Sequence, residues 1–97
     1  MGDDEYLAAL RPALIKALDD HKPEILYYVA GADPYEHDQL GGLCLTIEGL
    51  RRRDEFVLAE SAKRKIPYVI TLAGGYALDV DDTVTIHANT AFAAGLT

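Results

Sequence analysis

Two short apolar runs, residues 25–30 and 68–72, constrain the fold of this chain more than any other feature of its sequence. Neither run alternates apolar with polar residues, and a strand of this kind is typical of a parallel sheet that is covered on both faces. A segment with helical periodicity separates them, so we expect two parallel strands joined by a right-handed crossover. The sequence therefore predicts an α/β fold.

Helical periodicity surrounds the two runs and gives the element order α-β-α-β-α. The first helix is predicted over residues 3–20, where Pro12 is expected to kink the helix or divide it into two pieces. Thr46 is a good N-cap, so the second helix is predicted to begin there and to end near Lys65. The last segment, 79–94, is predicted to be a helix because its alanine-rich end outweighs its β-branched run.

The predicted sheet is too small to be complete. A sheet usually needs three or more strands for independent stability, and both outer edges would here carry unpaired backbone groups next to apolar sequence. We therefore expect residues 1–97 to form a single partial α/β domain. Its exposed strand edges are expected to pair in a homodimer or larger homo-oligomer.

The charge balance excludes several classes of partner. Sixteen acidic and nine basic residues give a formal net charge of −7. Nucleic-acid binders and proteins that dock on anionic membranes need basic surfaces, so we expect neither partner. No apolar run approaches the ~20 residues of a membrane-spanning helix. Cys44 is the only cysteine, which excludes an internal disulfide and favours a cytoplasmic location.

Candidate site residues follow the two predicted strands. Ligands of α/β sheets bind outside the carboxyl ends of the strands, where Asp33 and Tyr76 lie in this sequence. Asp33 is a candidate metal ligand, and the alternative is a turn in which its side chain bonds to its own backbone. Gly74 and Gly75 would bring the backbone close to a ligand while Tyr76 offers its hydroxyl to an oxyanion. The alternative for Tyr76 is a packed core tyrosine.

Other charged residues have weaker claims to a site. His37 is a candidate ligand, but a histidine in a polar loop is more often exposed to solvent. Arginines 51–53 occupy successive helix positions and are expected to form a solvated surface. Asp54 falls on the inward stripe of the second helix, where a carboxylate needs a partner. We predict a structural hydrogen bond or ion pair for Asp54, with one of these arginines as a candidate.

Short strings distributed in order along nearly the whole chain carry a family resemblance. They are Gly2-Asp3-Asp4-Glu5-Tyr6-Leu7, Ala30-Gly31-Ala32-Asp33-Pro34, Asp38-Gln39-Leu40-Gly41-Gly42-Leu43, Leu45-Thr46 with Glu48-Gly49-Leu50, Arg52-Arg53-Asp54, Gly74-Gly75-Tyr76, Asp81-Asp82-Thr83-Val84 and Ile86-His87. The chain thereby resembles the C-terminal portion of a histone-deacetylase-like zinc hydrolase of the arginase/deacetylase fold. This resemblance implies part of a three-layer α/β domain.

The resemblance implies roles for the candidate residues. In that family the Asp of the G-A-D motif is a zinc ligand, which carries over to Asp33. The Tyr after the glycine run polarises the acyl carbonyl and stabilises the oxyanion, which carries over to Tyr76 as a catalytic residue. Gly74 and Gly75 are then expected to contact substrate at the wall of the acyl tunnel, although Ala73 stands where a further glycine is common. The family reaction is the zinc-dependent hydrolysis of acetyl-amide bonds.

The resemblance also indicates what is missing. The family's other zinc ligands lie in an upstream Asp-x-His segment and its general-base histidines in an upstream His-His pair, and none of the three histidines here is assigned to these motifs. One carboxylate cannot hold a catalytic zinc well, and without a base the bound water lacks a proton acceptor. We therefore expect a truncated segment with an incomplete active site and no useful activity alone. The alternatives are a fragment completed by an N-terminal partner chain, and a stand-alone oligomerisation or binding module.

Overall fold

The computed structural model describes residues 2–32, 34–37, 43–75 and 77–95. The elements in chain order are α1 (Asp3–His21), β1 (Leu26–Gly31), α2 (Ile47–Lys63), β2 (Tyr68–Ala73) and α3 (Val80–Ala93). The predicted α/β class and the order α-β-α-β-α are confirmed. Within these ranges, none of the helices has the length and apolar character needed to cross a membrane.

β1 and β2 pair directly as parallel strands. Leu26 lies opposite Tyr68 at one end, and Gly31 lies opposite Ala73 at the other. Because the strands run in the same direction, α2 is the crossover between them and both carboxyl ends lie at one edge. We call this edge, formed by Gly31, Ala73 and the segments that follow them, the rim.

Hydrogen bonds join the first turn of α1 to the N-terminus of α2. The Thr46 side chain caps α2 as predicted, accepting a hydrogen bond from the Gly49 N–H at 3.0 Å. The Asp3 carboxylate in turn accepts hydrogen bonds from the Thr46 N–H at 2.8 Å and from its hydroxyl at 2.5 Å. A Cβ atom on Gly49 would overlap that carboxylate, so the contact requires glycine.

Pro12 lies inside α1, which is one helix from Asp3 to His21. Of the two expected outcomes, the division into two pieces is therefore wrong, and the kink stays a prediction. Proline removes one backbone donor from the helix, but Leu7 and Leu18 are buried on either side of it and α1 packs against α2. Burial of both halves offsets the lost hydrogen bond.

Among the described residues, the helices cover one face of the sheet and leave the other uncovered. On the covered face, Tyr28 contacts α2 through its hydroxyl and Ala30 is fully buried. On the opposite face, Tyr27 is 66% and Val29 is 64% exposed. The apolar runs predicted strands covered on both faces, and for the described residues this expectation is wrong. The strands have the apolar residues of a doubly covered sheet, but the described residues supply one covering layer.

The uncovered face is continuous across both strands. The register places Val69 beside Tyr27 and Thr71 beside Val29, and all four side chains are exposed. We call the surface formed by these four residues the open face.

The hydrophobic core lies near the rim. Its buried members are Ala32, Tyr35, Leu45, Leu50 and Ile86. The first two belong to the segment after β1, although that segment contains several polar residues. This segment is therefore held by the core of the protein.

Candidate functional site

The rim brings together the segments that follow β1 and β2. The Ala32 N–H donates a hydrogen bond to the Ala73 carbonyl at 3.0 Å, which extends the parallel pairing one step beyond the ladder. Ala32 is followed in sequence by Asp33, and Ala73 is followed by the glycine pair. The two predicted site segments therefore begin side by side, as the parallel arrangement predicts.

Asp33 and Tyr76 themselves lie outside the described residues. Their roles as zinc ligand and oxyanion donor thus stay predictions. The residues next to them are anchored, because Ala32 is fully buried and Ala77 packs against the core. The structure therefore fixes where each segment starts or ends.

The two glycines after β2 have backbone conformations that favour glycine. Gly74 and Gly75 have φ angles of 67° and 118°, in the region that L side chains rarely adopt. A Cβ atom on Gly75 would also overlap the Thr83 methyl group on α3. Turn geometry and packing on α3 account for this pair, and their predicted contact with substrate stays a prediction.

Tyr35 anchors the segment after β1 to α3. Its side chain is buried, and its hydroxyl donates a hydrogen bond to the Asp82 carboxylate at 2.7 Å. Burial, together with the hydrogen bond to Asp82, raises the pKa of Tyr35 to about 12. Leu45 pairs with this segment as well, accepting from the Glu36 N–H at 2.7 Å and donating to the Pro34 carbonyl at 3.0 Å. The segment is held on two sides.

His37 contributes to the rim through its backbone. Its carbonyl accepts a hydrogen bond from the Leu78 N–H at 3.0 Å, which joins the segments that follow the two strands. The imidazole is mostly exposed, as expected for a polar loop, and lies 3.5 Å from the Glu36 carboxylate. Its ring also meets the Tyr35 ring edge-on, with centroids 5.3 Å apart.

The described residues do not form a zinc site on their own. Zinc in proteins needs three or four side-chain ligands. Across residues 2–32, 34–37, 43–75 and 77–95, no group of three His, Cys, Asp or Glu side chains is placed to hold a metal ion. Asp33 would add a single carboxylate, so a complete site needs ligands beyond those described.

One string in the sequence, Asp19-Asp20-His21, has the spelling Asp-x-His that the sequence analysis passed over. It ends α1, shortly before β1 begins, and therefore lies toward the edge where the strands start. Asp19 is paired there with Arg64, just after α2, at 2.8 Å. The string lies at the edge opposite the rim, so it does not supply the upstream zinc ligands of the family.

Beneath the rim, a buried carboxylate joins three elements. Asp54 of α2 is fully buried and accepts hydrogen bonds from the Tyr28 hydroxyl of β1 and, at 2.5 Å, from the Thr90 hydroxyl of α3. Arg53 Nε donates to the same carboxylate at 3.0 Å. The predicted pairing of Asp54 with an arginine is confirmed. Burial raises the pKa of Tyr28, and its hydrogen bond to Asp54 raises it further.

Arg53 is the functional candidate that the sequence analysis missed. It was expected to share a solvated surface with its neighbours, but only 3% of it is exposed. Its Nη1 donates a hydrogen bond to the Gly31 carbonyl at 2.7 Å. A signal was available, because Arg53 shares a helical stripe with the buried Leu50 and Val57.

A family model of the histone deacetylase domain matches residues 1–91. The chain belongs to the histone deacetylase family. The resemblance stated from the sequence strings is thereby confirmed, and the match includes both rim segments and the buried carboxylate network. The structure is consistent with part of a deacetylase-type fold.

Individual relatives agree with the family match. Histone deacetylase 2 of Arabidopsis thaliana is 40% identical over 73 residues, which are 75% of this chain and 19% of that protein. Histone deacetylase 5 of the same plant is 39% identical over 82 residues, or 80% of this chain and 11% of that protein. An uncharacterized protein of Picosynechococcus is 36% identical over 88 residues, 91% of this chain and 29% of that protein. The chain spans less than a third of the length of each relative.

Proposed function

We propose that these 97 residues contribute the C-terminal part of a deacetylase-type active site that hydrolyses acetyl-amide bonds with zinc. In this proposal Asp33 is one metal ligand, and the Tyr76 hydroxyl donates a hydrogen bond to the oxyanion that forms on the acyl carbon. The rim carries the proposal, because the 3.0 Å hydrogen bond from Ala32 to Ala73 starts both segments side by side.

The proposal includes a need for further residues, on the same polypeptide or on a second chain. The described residues lack a three-ligand metal site, and the sequence has no His-His pair to act as general base. A bound water would then have neither a complete metal site nor a proton acceptor. We expect no useful deacetylase activity from these residues alone.

The open face supports the same conclusion. Parallel sheets normally have both faces covered, and Tyr27 and Val29 expose apolar surface on one side of this two-stranded sheet. In the proposal, this face and the strand edges receive the N-terminal part of a deacetylase domain. The exposed Cys44 is compatible with a reducing compartment, and we place the protein in the cytoplasm.

Zinc binding is the first test of the proposal. Metal-free chain is titrated with zinc alone and in the presence of an N-terminal deacetylase fragment, the part of histone deacetylase 2 of Arabidopsis thaliana that precedes its matched segment. We expect weak binding alone, tight near-stoichiometric binding in the mixture, and loss of the gain in Asp33→Ala. Tight binding by the chain alone would contradict its incompleteness, and a gain that survives Asp33→Ala would exclude Asp33 as a ligand.

Hydrolysis is the second test. An acetyl-lysine peptide is incubated with the chain, with the N-terminal fragment and with both, using intact histone deacetylase 2 of Arabidopsis thaliana as the positive control. We expect turnover only in the mixture, and its loss in Tyr76→Phe, which removes the hydroxyl but keeps the ring. Zinc-dependent hydrolysis by the chain alone would overturn the proposed need for further residues.

The open face also favours a second function, self-association of the chain as a binding module. In a dimer, the open faces of two copies can pack against each other, so that the apolar strand residues of both copies are shielded from water. Light scattering across a concentration series tests this alternative. We expect a dimer that dissociates in Val29→Lys, whereas Leu78→Lys, at another exposed apolar residue, leaves it intact. A strict monomer at high concentration would exclude the module.

A further inference from the structure

A buried ion pair on α2 lies directly beneath the rim. Asp54 is fully buried and Arg53 is 3% exposed. Arg53 Nε and Nη2 both lie 3.0 Å from Asp54 Oδ1. Burying two charges is costly unless they pair and hydrogen-bond, so the cost must be offset by the contacts that each partner makes.

Those contacts fix the pair from two further elements. The Tyr28 hydroxyl donates to the same Asp54 oxygen as Arg53, and the Thr90 hydroxyl donates to the other. The Arg53 guanidinium also lies over the Tyr28 ring, 5.7 Å from its centroid, an arrangement that favours a cation. The orientation of Arg53 is therefore set by β1 and, through Asp54, by α3.

The oriented Arg53 side chain restrains one peptide unit of the rim. Its Nη1 donates to the Gly31 carbonyl at 2.7 Å. The N–H of the same peptide unit belongs to Ala32 and donates to the Ala73 carbonyl at 3.0 Å. Because a peptide unit is planar, two hydrogen bonds at its opposite sides fix its rotation. The next residue in sequence is Asp33.

We propose that Arg53 and Asp54 are positioning residues that fix the Gly31–Ala32 peptide, and with it the direction in which the chain leaves β1 toward Asp33. Asp54 orients the guanidinium, and the guanidinium holds the carbonyl. The consequence for zinc rests on the proposed function, whereas the positioning of the peptide can be tested without any metal.

Arg53→Lys is the most direct variant. Lysine keeps the positive charge. Its ammonium group has one nitrogen, however, so it lacks the planar guanidinium that donates to Asp54 and to the Gly31 carbonyl at the same time. Arg52→Lys is the matched control, because Arg52 is the adjacent residue of the same helix, is exposed, and lies 3.8 Å from the Glu48 carboxylate. Thr90→Val is a milder variant that removes one hydrogen bond to Asp54 and leaves Arg53 in place.

Amide hydrogen exchange, followed by NMR on the full chain, tests the positioning. In Arg53→Lys we expect the Ala32 amide to exchange about tenfold faster relative to the ladder amides of β1 and β2, because one lost hydrogen bond loosens the peptide locally. Thr90→Val should produce a smaller selective increase, and Arg52→Lys none. If Arg53→Lys does not fold, Thr90→Val decides the question alone.

Two outcomes would overturn the proposal. Acceleration of all amides by the same factor would mean that the pair only stabilises the fold, and an unchanged Ala32 amide would mean that Arg53 does not hold the peptide. A rescue experiment also distinguishes positioning from general stabilisation of the fold. Free guanidinium added to an Arg53→Ala variant should restore the protection of the Ala32 amide selectively. A rescue that is absent or equal at every amide would count against positioning.

Zinc affinity of the mixture with the N-terminal fragment connects positioning to function. Residues that orient a metal ligand typically change affinity by about 10–100-fold when mutated, and we expect a loss of this size in Arg53→Lys but not in Arg52→Lys. Fast Ala32 exchange without zinc binding by any variant would refute the proposed function and keep the positioning. Unchanged exchange of the Ala32 amide in Arg53→Lys, together with intact zinc binding, would refute the positioning and keep the proposed function.

Discussion

The rim and the open face lie on the same two strands and are built in opposite ways. At the rim, polar groups are buried and paired, as Tyr35 with Asp82 and Arg53 with Gly31 and Asp54. On the open face, apolar side chains such as Tyr27 and Val29 remain exposed. The contrast teaches that the described residues hold the backbone of the rim through their own contacts, whereas they leave the open face uncovered.

Removing the buried carboxylate is the change that should damage the rim most. Asp54→Ala leaves Arg53 buried without its counter-charge, and we expect a loss of about 3–5 kcal/mol in the free energy of unfolding. Urea denaturation followed by circular dichroism measures it. Asp20→Ala, which removes only the exposed pair with Lys16, is the control and should have a much smaller effect. Equal effects would mean that the network does not stabilise the rim.

Gly75 gives the next largest effect. Gly75→Ala combines an unfavourable φ of 118° with overlap on Thr83, and we expect a loss of about 2–3 kcal/mol. Gly95→Ala is the matched control, because Gly95 has a φ of 83° with nothing near its Cβ position. The loss in the free energy of unfolding of Gly95→Ala should therefore come from backbone strain alone. Thr83→Ser removes the overlapping methyl group, so it should recover part of the loss in Gly75→Ala but nothing in Gly95→Ala.

Alkaline pH should destabilise the fold through Tyr35 at the rim. The pKa of Tyr35 rises from its ordinary 10.0 to about 12, so between these values the folded chain keeps a proton that the unfolded chain has lost. The free energy of unfolding therefore falls as pH rises through this range, and the contribution of Tyr35 is fully present below pH 10. Thermal unfolding from pH 9 to pH 12 should show a shallower decline in Tyr35→Phe, with the exposed Tyr27→Phe as control.

The smallest effect on stability is expected on the open face. Val29→Thr keeps the branched shape of an exposed strand residue, and we expect a change within about 0.5 kcal/mol in the monomer. The same variant should weaken association with an N-terminal fragment or with a second copy, measured by analytical ultracentrifugation. A large loss of monomer stability would show that this face is already packed, and the contrast with the rim would fail.

The helices and strands, and the approximate residues at which they begin and end, could be predicted from local patterns in the sequence. Thr46 caps α2 as predicted, and Asp79 caps α3 in the same way. Each accepts a hydrogen bond from a backbone N–H in the first turn, because capping depends on a few neighbouring residues. The parallel pairing followed equally from two apolar runs and a crossover helix. These features depend on contacts that are near in sequence or dictated by topology.

Features that depend on tertiary contacts were not predictable in the same way. Pro12 did not divide α1, because burial on both sides of it outweighs the local rule. Arg53 looked like a surface residue, and its role depends on Gly31, a strand residue distant in sequence. The doubly buried strands were inferred from the absence of alternation in the two apolar runs, and this pattern does not show which residues would cover each face.

The doubly held peptide at Gly31 and Ala32 has a consequence for assembly. Because β1, β2, α2 and α3 are tied together through it and through Asp54, the open face is carried on a preformed body. Association would then resemble rigid docking, with little conformational entropy lost by this chain. Its rate should depend on collision and orientation, within about 10⁵–10⁷ M⁻¹s⁻¹, and should not be limited by a folding step within these residues.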